Sequence, residues 1–184
     1  MNTTKRISSI SPSLTLAITA KAKAMKAEGK SVIGFGAGEP DFNTPQHIID
    51  AAKDALDKGY TKYTPSSGLP ALRKKIAEHF EAEQELVYDP SQIIVSSGAK
   101  HSIFNTMFAL VEDGDEVIIP SPYWLTYPEV VKVCGGVSVF VKGHRENHFK
   151  IDPGDLKKAI TPKTKMLIFN SPSNPTGSVY TEEE

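Results

Sequence analysis

From residue 90 onward the chain alternates between short, nearly uninterrupted apolar runs and longer stretches in which apolar residues recur every three or four positions. The runs at 93–95, 117–119 and 166–169 have no polar residue on either face. Strands with that composition are buried on both sides, as in a parallel sheet sandwiched between helices. Between them the spacing predicts helices over 99–110, 125–133 and 153–160, the last capped by Asp152-Pro153, and a further strand over 137–142. Strand and helix therefore alternate four times between residues 90 and 170, and the expected fold class is α/β, a doubly wound, mainly parallel sheet.

The first 90 residues have a different rhythm. Residues 1–11 lack any period and read as an irregular arm. Helix formers dominate from Ser13 to Glu28, with Leu14, Ala17, Ile18, Ala24 and Met25 near helical spacing and Gly29 closing the segment. A short extended piece and a glycine-rich loop follow. Thr44-Pro45 predicts an N-cap with proline at the first helical position, opening a helix to about Lys58 with Ile48, Ile49, Ala52 and Leu56 on one face. A loop carrying Tyr60 and Tyr63 leads to another helix over about 69–82.

Composition narrows the function classes without choosing one. The 184 residues are 39% hydrophobic and 23% charged with a formal net charge of −1, so no global field draws the chain to nucleic acid or anionic lipid. One cysteine, Cys134, excludes an intrachain disulfide framework and suits a reducing, cytoplasmic setting. No apolar run approaches the roughly 18 residues of a membrane span. The first 27 residues are free of acids, but they hold one arginine and run straight into a helical pattern, which argues against a transit peptide.

Several motifs nearly match and fail. Gly34-Phe35-Gly36-Ala37-Gly38-Glu39 resembles a dinucleotide fingerprint, but Glu39 and Pro40 stand where the last glycine and the helix should be. Gly29-Lys30-Ser31 resembles a P-loop end, but Ala24 occupies the first glycine position. Ser97-Gly98-Ala99-Lys100 fits S-x-x-K without the companion S-D-N or K-T-G. None of the histidines at 47, 79, 101, 144 and 148 has a metal-ligand partner at suitable spacing.

What remains clusters after the predicted strands, at the carboxyl ends where open α/β sheets bind ligands. S-S-G-A-K-H at 96–101 is a small-residue turn opening a helix, whose free N–H groups and dipole suit a phosphate, although the same turn also serves as a plain connection. P-S-P-Y-W at 120–124 ends in the only tryptophan, an aromatic plate or a core residue. N-S-P-S-N-P-T-G at 170–177 holds Asn174 beside Pro175, either a stiff turn or a fixed polar amide. Both Ser121–Pro122 and Asn174–Pro175 are expected to be cis. An anion cradle, an aromatic plate and a fixed amide together suit a planar aromatic phosphate.

These segments carry a resemblance. G-A-G-E-P-D-F-N-T-P at 36–45, K-Y-T-P-S-S-G-L-P-A-L-R at 62–73, S-S-G-A-K at 96–100, G-D-E-V-I-I-P-S-P-Y-W at 114–124 and N-S-P-S-N-P-T-G at 170–177 are similar, in order and spacing, to the N-terminal part of the fold-type I, class I/II aminotransferases. Among the branches, the bacterial-type aspartate aminotransferases are most similar.

The resemblance implies pyridoxal 5'-phosphate as cofactor. Gly98, Ala99 and Lys100 would hold its phosphate, Trp124 would stack on its ring, and Asn174 would bond the ring hydroxyl O3′. Tyr63 would reach the partner's phosphate across a homodimer. Gly38, Lys100, Trp124 and Asn174 would meet substrate, with Lys100 near the distal carboxylate of an acidic one.

It also implies an enzyme moving an amino group between aspartate and 2-oxoglutarate, with residues 1–44 as arm, helix and loop and 45–184 as the first part of the cofactor-binding domain. None of the 18 lysines stands in the family's S-K context for the Schiff-base lysine. The chain is thus expected to be a fragment, inactive alone and without a catalytic residue of its own. The alternatives are a non-catalytic binding or regulatory protein of the same fold, or an aminotransferase for aromatic, prephenate or alanine-type substrates.

Overall fold

The computed structural model describes residues 3–36 and 38–184. In chain order its elements are α1 (Lys5–Ser8), α2 (Leu14–Ala27), α3 (Gln46–Asp57), α4 (Pro70–Gln84), α5 (Ala99–Leu110), β1 (Glu116–Ser121), α6 (Thr126–Val133), β2 (Val137–Lys142), α7 (Pro153–Ala159) and β3 (Thr164–Leu167). They fall into two compact units. A helical unit spans Leu14–Ser97; a sheet unit joins the N-terminal residues up to Ser13 to Gly98–Glu184.

The sheet unit is built on β1. Its strands lie in the order β2-β1-β3, and both neighbours run parallel to β1. Val117, Ile118 and Ile119 are 0%, 1% and 0% exposed. Alternation sends their side chains to opposite faces. Val117 and Ile119 pack with Met107 of α5 and Val111 at its C-cap, and with Tyr127 and Val131 of α6 and Cys134 at its C-cap. Ile118 packs on the other face with Val141 and Ile151, flanked by Leu156 and Ala159 of α7. Helices on both faces make the sheet doubly wound, as the apolar runs predict. Full burial of each such side chain is worth about 1.5–3 kcal/mol, which makes β1 the anchor of the unit.

Polar detail fixes the ends of this framework. The Asp152 carboxylate accepts from the N–H groups of Gly154 and Asp155 at 2.7 and 3.3 Å, capping α7 as expected. Glu116 accepts from the Thr161 hydroxyl at 2.6 Å, tying the start of β1 to the turn before β3. At the N-terminus Glu129 accepts from the Ser11 N–H at 3.0 Å, and Lys132 donates to the Ser9 carbonyl at 3.1 Å. The arm therefore rests on α6. It contains one helical turn, α1, capped by Thr4, where the sequence predicts irregular chain; its first two residues lie outside the described part, as does Ala37 of the glycine-rich loop.

The helical unit holds α2, α3, α4 and a 3-10 turn at Pro90–Gln92 capped by Asp89. Two expectations are corrected here. Thr44 does not cap α3; Pro45 takes the N-cap position and no side chain bonds the free N–H groups. Residues 93–95 are not a paired strand. Ile93 is extended and buried, but Ile94 is 70% exposed, and the Val95 N–H bonds only the Ser67 carbonyl of a loop, at 2.9 Å. An apolar β-former without a neighbouring strand makes no ladder, whatever its propensity. The loop is held close to this segment: a Cβ on Gly68, at φ 102°, would sit 2.7 Å from a Val95 methyl. The third strand also ends earlier than expected, at Leu167, although the Ile168 N–H still bonds the Ile118 carbonyl at 2.9 Å.

Candidate functional site

The sheet unit brings its chemistry to the carboxyl ends of β1 and β3 and to the start of α5. Gly98 is the N-cap of α5 at φ 86°, a left-handed conformation that favours glycine. Its carbonyl accepts from the His101 and Ser102 N–H groups at 3.1 and 3.3 Å. The N–H groups of Ala99 and Lys100 precede that first bond and have no partner within the helix. A Cβ on Gly98 would meet nothing within 4 Å, so the space beside this turn is open.

Lys100, from the first turn of α5, places its ammonium 4.9 Å from the centroid of the Trp124 ring. Trp124 is half-buried after β1 and meets the Tyr127 ring edge-on, at 5.6 Å and 89°. Tyr127 is buried, and burial pushes its phenol above the ordinary range. Tyr123 stacks on Phe140 of β2 at 4.9 Å. Tyr123 is thus held against Phe140, and Trp124 between Lys100 and Tyr127.

Asn174 sits across a narrow cleft from this cluster. The cleft, of ≈ 20 Å³, is lined by Ile119, Pro120, Pro122, Tyr123 and Tyr127 from the β1 side and by Ile168, Asn170, Ser173 and Asn174 from the β3 side. Ser121–Pro122 and Asn174–Pro175 are cis as expected, and so is Ser171–Pro172, which no sequence signal singled out. The loop after β3 closes on itself: Ser173 donates to the Ser178 carbonyl, Gly177 to the Ser173 carbonyl, and Tyr180 to the Ser171 hydroxyl, at 2.9, 2.7 and 3.2 Å. Tyr180 also accepts from the Ile151 N–H at 2.8 Å, and Lys150 pairs with Glu184 at 2.5 Å. These bonds seat the loop on the sheet unit.

Five of the seven predicted site residues, Gly98, Ala99, Lys100, Trp124 and Asn174, therefore belong to the sheet unit. Trp124 and Asn174 flank the same buried tyrosine, Tyr127. Gly38 and Tyr63 belong to the helical unit, where both are exposed. Sequence reasoning missed Asn170, Tyr123 and Tyr127 as cleft residues; the position of Asn170 directly after the last apolar run was an available signal. No group of acidic, histidine or cysteine side chains among the described residues could hold a metal ion, and no helix among them is long and apolar enough to cross a membrane.

A parallel sheet covered by helices on both faces, with an open helix start, a half-buried tryptophan and a polar loop at its carboxyl ends, defines a doubly wound α/β protein. Residues 30–184 match the family described as aminotransferase class I and II, and the chain belongs to that family. It is 60% identical over 184 residues to an aspartate aminotransferase of Geobacillus stearothermophilus, covering all of this chain and 47% of that protein. It is 53% identical over 184 residues to an aspartate/prephenate aminotransferase of Nitrosomonas europaea, covering 46% of that protein. Among solved structures, the aspartate aminotransferase of Thermus thermophilus with maleate superposes with a TM-score of 0.97 at 45% identity, over all of this chain and 48% of that one. Its fold is that of the fold-type I aminotransferases, of which it presents an incomplete α/β domain. The chain spans about half the length of the curated relatives it matches.

Proposed function

We propose that this chain is the N-terminal portion of a pyridoxal-phosphate-dependent aminotransferase that moves an amino group between aspartate and 2-oxoglutarate. The observation that carries the reading is the trio at the carboxyl end of the sheet: the open start of α5, the Trp124 plate under the Lys100 ammonium, and the Asn174 loop. The donor set fits the cofactor. Two free backbone N–H groups and a helix dipole suit a dianionic phosphate, a half-buried indole suits a pyridine ring, and a carboxamide suits a phenolic oxygen.

When bound, pyridoxal phosphate supplies an electrophilic carbonyl and an electron-withdrawing ring that acidifies the Cα–H of an amino acid. The residues of this chain do the holding. The N–H groups of Gly98, Ala99 and Lys100 would hold the phosphate, Trp124 would lie against the ring and exclude water there, and the Asn174 amide would donate to O3′. The Lys100 ammonium offers a charge partner for the distal carboxylate of a dicarboxylic substrate. Support for an acidic substrate comes from the relatives named for aspartate and from the Thermus structure with maleate, itself a dicarboxylate. Gly38 borders the substrate carboxylate, and Tyr63 reaches the phosphate of a second subunit in a homodimer. Residues 1–44 serve as arm, helix and loop, and residues 45–184 as the first part of the cofactor domain of a cytoplasmic enzyme.

A substrate panel on the complete enzyme tests the reading. Aspartate with 2-oxoglutarate is expected to give the highest kcat/KM, and Lys100→Ala to reduce it for aspartate about tenfold or more while leaving alanine nearly unchanged, as expected for loss of one charge-assisted contact. Equal loss for both amino acids would refute the role of Lys100. Activity with prephenate above that with 2-oxoglutarate would favour the substrate named for the Nitrosomonas relative. Borohydride reduction of the 184-residue chain with pyridoxal phosphate should leave Lys100 without stoichiometric label by peptide mapping.

A further inference from the structure

Asn174 is exposed and lies between two proline peptides, so its own packing does not hold it. Pro172 and Pro175 have no N–H, which leaves the loop few backbone donors with which to fix itself. One of them, the Asn174 N–H, donates to the Asn170 side-chain carbonyl Oδ1 at 2.9 Å. Asn170 is half-buried and stands two residues after Ile168, whose N–H is bonded to the Ile118 carbonyl of the sheet core at 2.9 Å. Its position is therefore set by the most rigid element of the unit. Asn170 also lines the cleft that Asn174 shares with Tyr123 and Tyr127.

We infer that Asn170 is a positioning residue: through the bond from its Oδ1 to the Asn174 N–H it holds the Asn174 carboxamide at the distance and angle from which that amide meets the ring hydroxyl of the cofactor. The inference rests on the role of Asn174 proposed above. Its physical basis is that a binding group on a loop needs support from a rigid element to keep its geometry within about 0.5 Å. Oδ1 supplies that support by replacing the ladder bond that the loop cannot make. The Asn170 carboxamide then acts on the cofactor only through Asn174.

Two measurements test it. In the complete enzyme without cofactor, amide hydrogen exchange at Asn174 is expected to speed up about tenfold in Asn170→Ala, as expected for loss of one protecting hydrogen bond. It should return to the parent rate in Asn170→Asp, which keeps an acceptor at the same place. In the complete enzyme, dissociation constants are measured for pyridoxal phosphate and for its 3-deoxy analogue, which lacks the ring hydroxyl.

Asn174→Ala should weaken pyridoxal phosphate about tenfold and the analogue less than about twofold, as expected for loss of one hydrogen bond. Asn170→Ala should show the same discrimination at smaller size, about threefold for the cofactor by the same reasoning. Unchanged exchange in Asn170→Ala, or equal weakening of both ligands, would overturn the positioning role while leaving Asn174 intact. If Asn174→Ala itself fails to discriminate, the role of Asn174 falls first and the inference with it.

Discussion

The two units are of similar length but hold their apolar residues differently. Of the twelve buried hydrophobic residues among those described, Ala77 and Ile93 belong to the helical unit; the other ten belong to the sheet unit, three of them on β1 itself. The α3 helix has the sharper amphipathic pattern, yet Ile48, Ile49, Ala52 and Leu56 line an open groove and none is buried. The α5 helix has a blunter pattern and buries Met107 in the sheet core. A sequence period thus reports which face of a helix is built for burial, not whether its partner is present in the chain. In the sheet unit the partners are consecutive elements, so pattern and burial agree.

The largest test of this contrast is truncation of one apolar side chain in each unit. Ile118→Ala is expected to cost about 2–5 kcal/mol in urea unfolding of this chain, since it opens a cavity between β1, Val141 and Ile151. Leu56→Ala, at 64% exposure, should lie within about 0.5 kcal/mol of the parent. A cost at Leu56 matching that at Ile118 would break the comparison and show that the α3 face is covered in solution.

A smaller test uses the helix starts. Asp152→Ala removes two charge-assisted bonds at α7 and should cost about 1 kcal/mol, within the usual range for an N-cap. Thr44→Ala removes no capping bond at α3, where Pro45 takes the position, and should change stability by less than about 0.3 kcal/mol, because nothing is lost. Urea midpoints read both. A clear loss at Thr44 would restore the capping role that the Thr44-Pro45 pair predicts.

The same division explains how much could be read before the fold was seen. The sheet, its parallel sense and its two helical layers were legible because the runs at 117–119 and 166–169 pair within 50 residues of one another. Ile93–Val95 looked like a third such run, but strand formation depends on a neighbour, and composition does not reveal one. Gly98, Ala99, Lys100, Trp124 and Asn174 were legible as site candidates because each lies in a turn within seven residues of the end of an apolar run. Tyr127 was not, since one helical turn had to bring it back under Trp124 and beside Asn174. Asn170 was overlooked for a simpler reason: in sequence it reads as the last residue of a strand, and only its bond to the Asn174 N–H shows that it serves the loop.

The smallest expected effect is a difference in pH response between the units. In the helical unit, hydrogen bonds from Ser91 hold the Asp89 carboxyl below its usual range. A carboxylate whose folded pKa is depressed contributes stability above its unfolded value, about 3.9. That contribution is lost as pH falls through the folded value. In the sheet unit, burial pushes the Cys134 thiol up, with Arg6 opposing it in part. A group whose folded pKa is raised contributes fully below its unfolded value, about 8.5 for a thiol, and the contribution fades as pH rises through the folded value.

Acid should therefore loosen the Pro90–Gln92 turn, and mild alkali the α6 face of the sheet. The protection factor of the Ser91 amide, its exchange rate relative to an unstructured peptide at the same pH, is expected to fall below about pH 4 in the parent, near the carboxylate's unfolded value, and to stay level in Asp89→Asn. The urea midpoint of the whole chain is expected to fall as pH rises above about 8.5 in the parent, and less steeply in Cys134→Ala, where no thiol titrates. Parallel pH slopes for the parent and both variants would show that neither group couples to folding, and would leave the two units distinguished by burial alone.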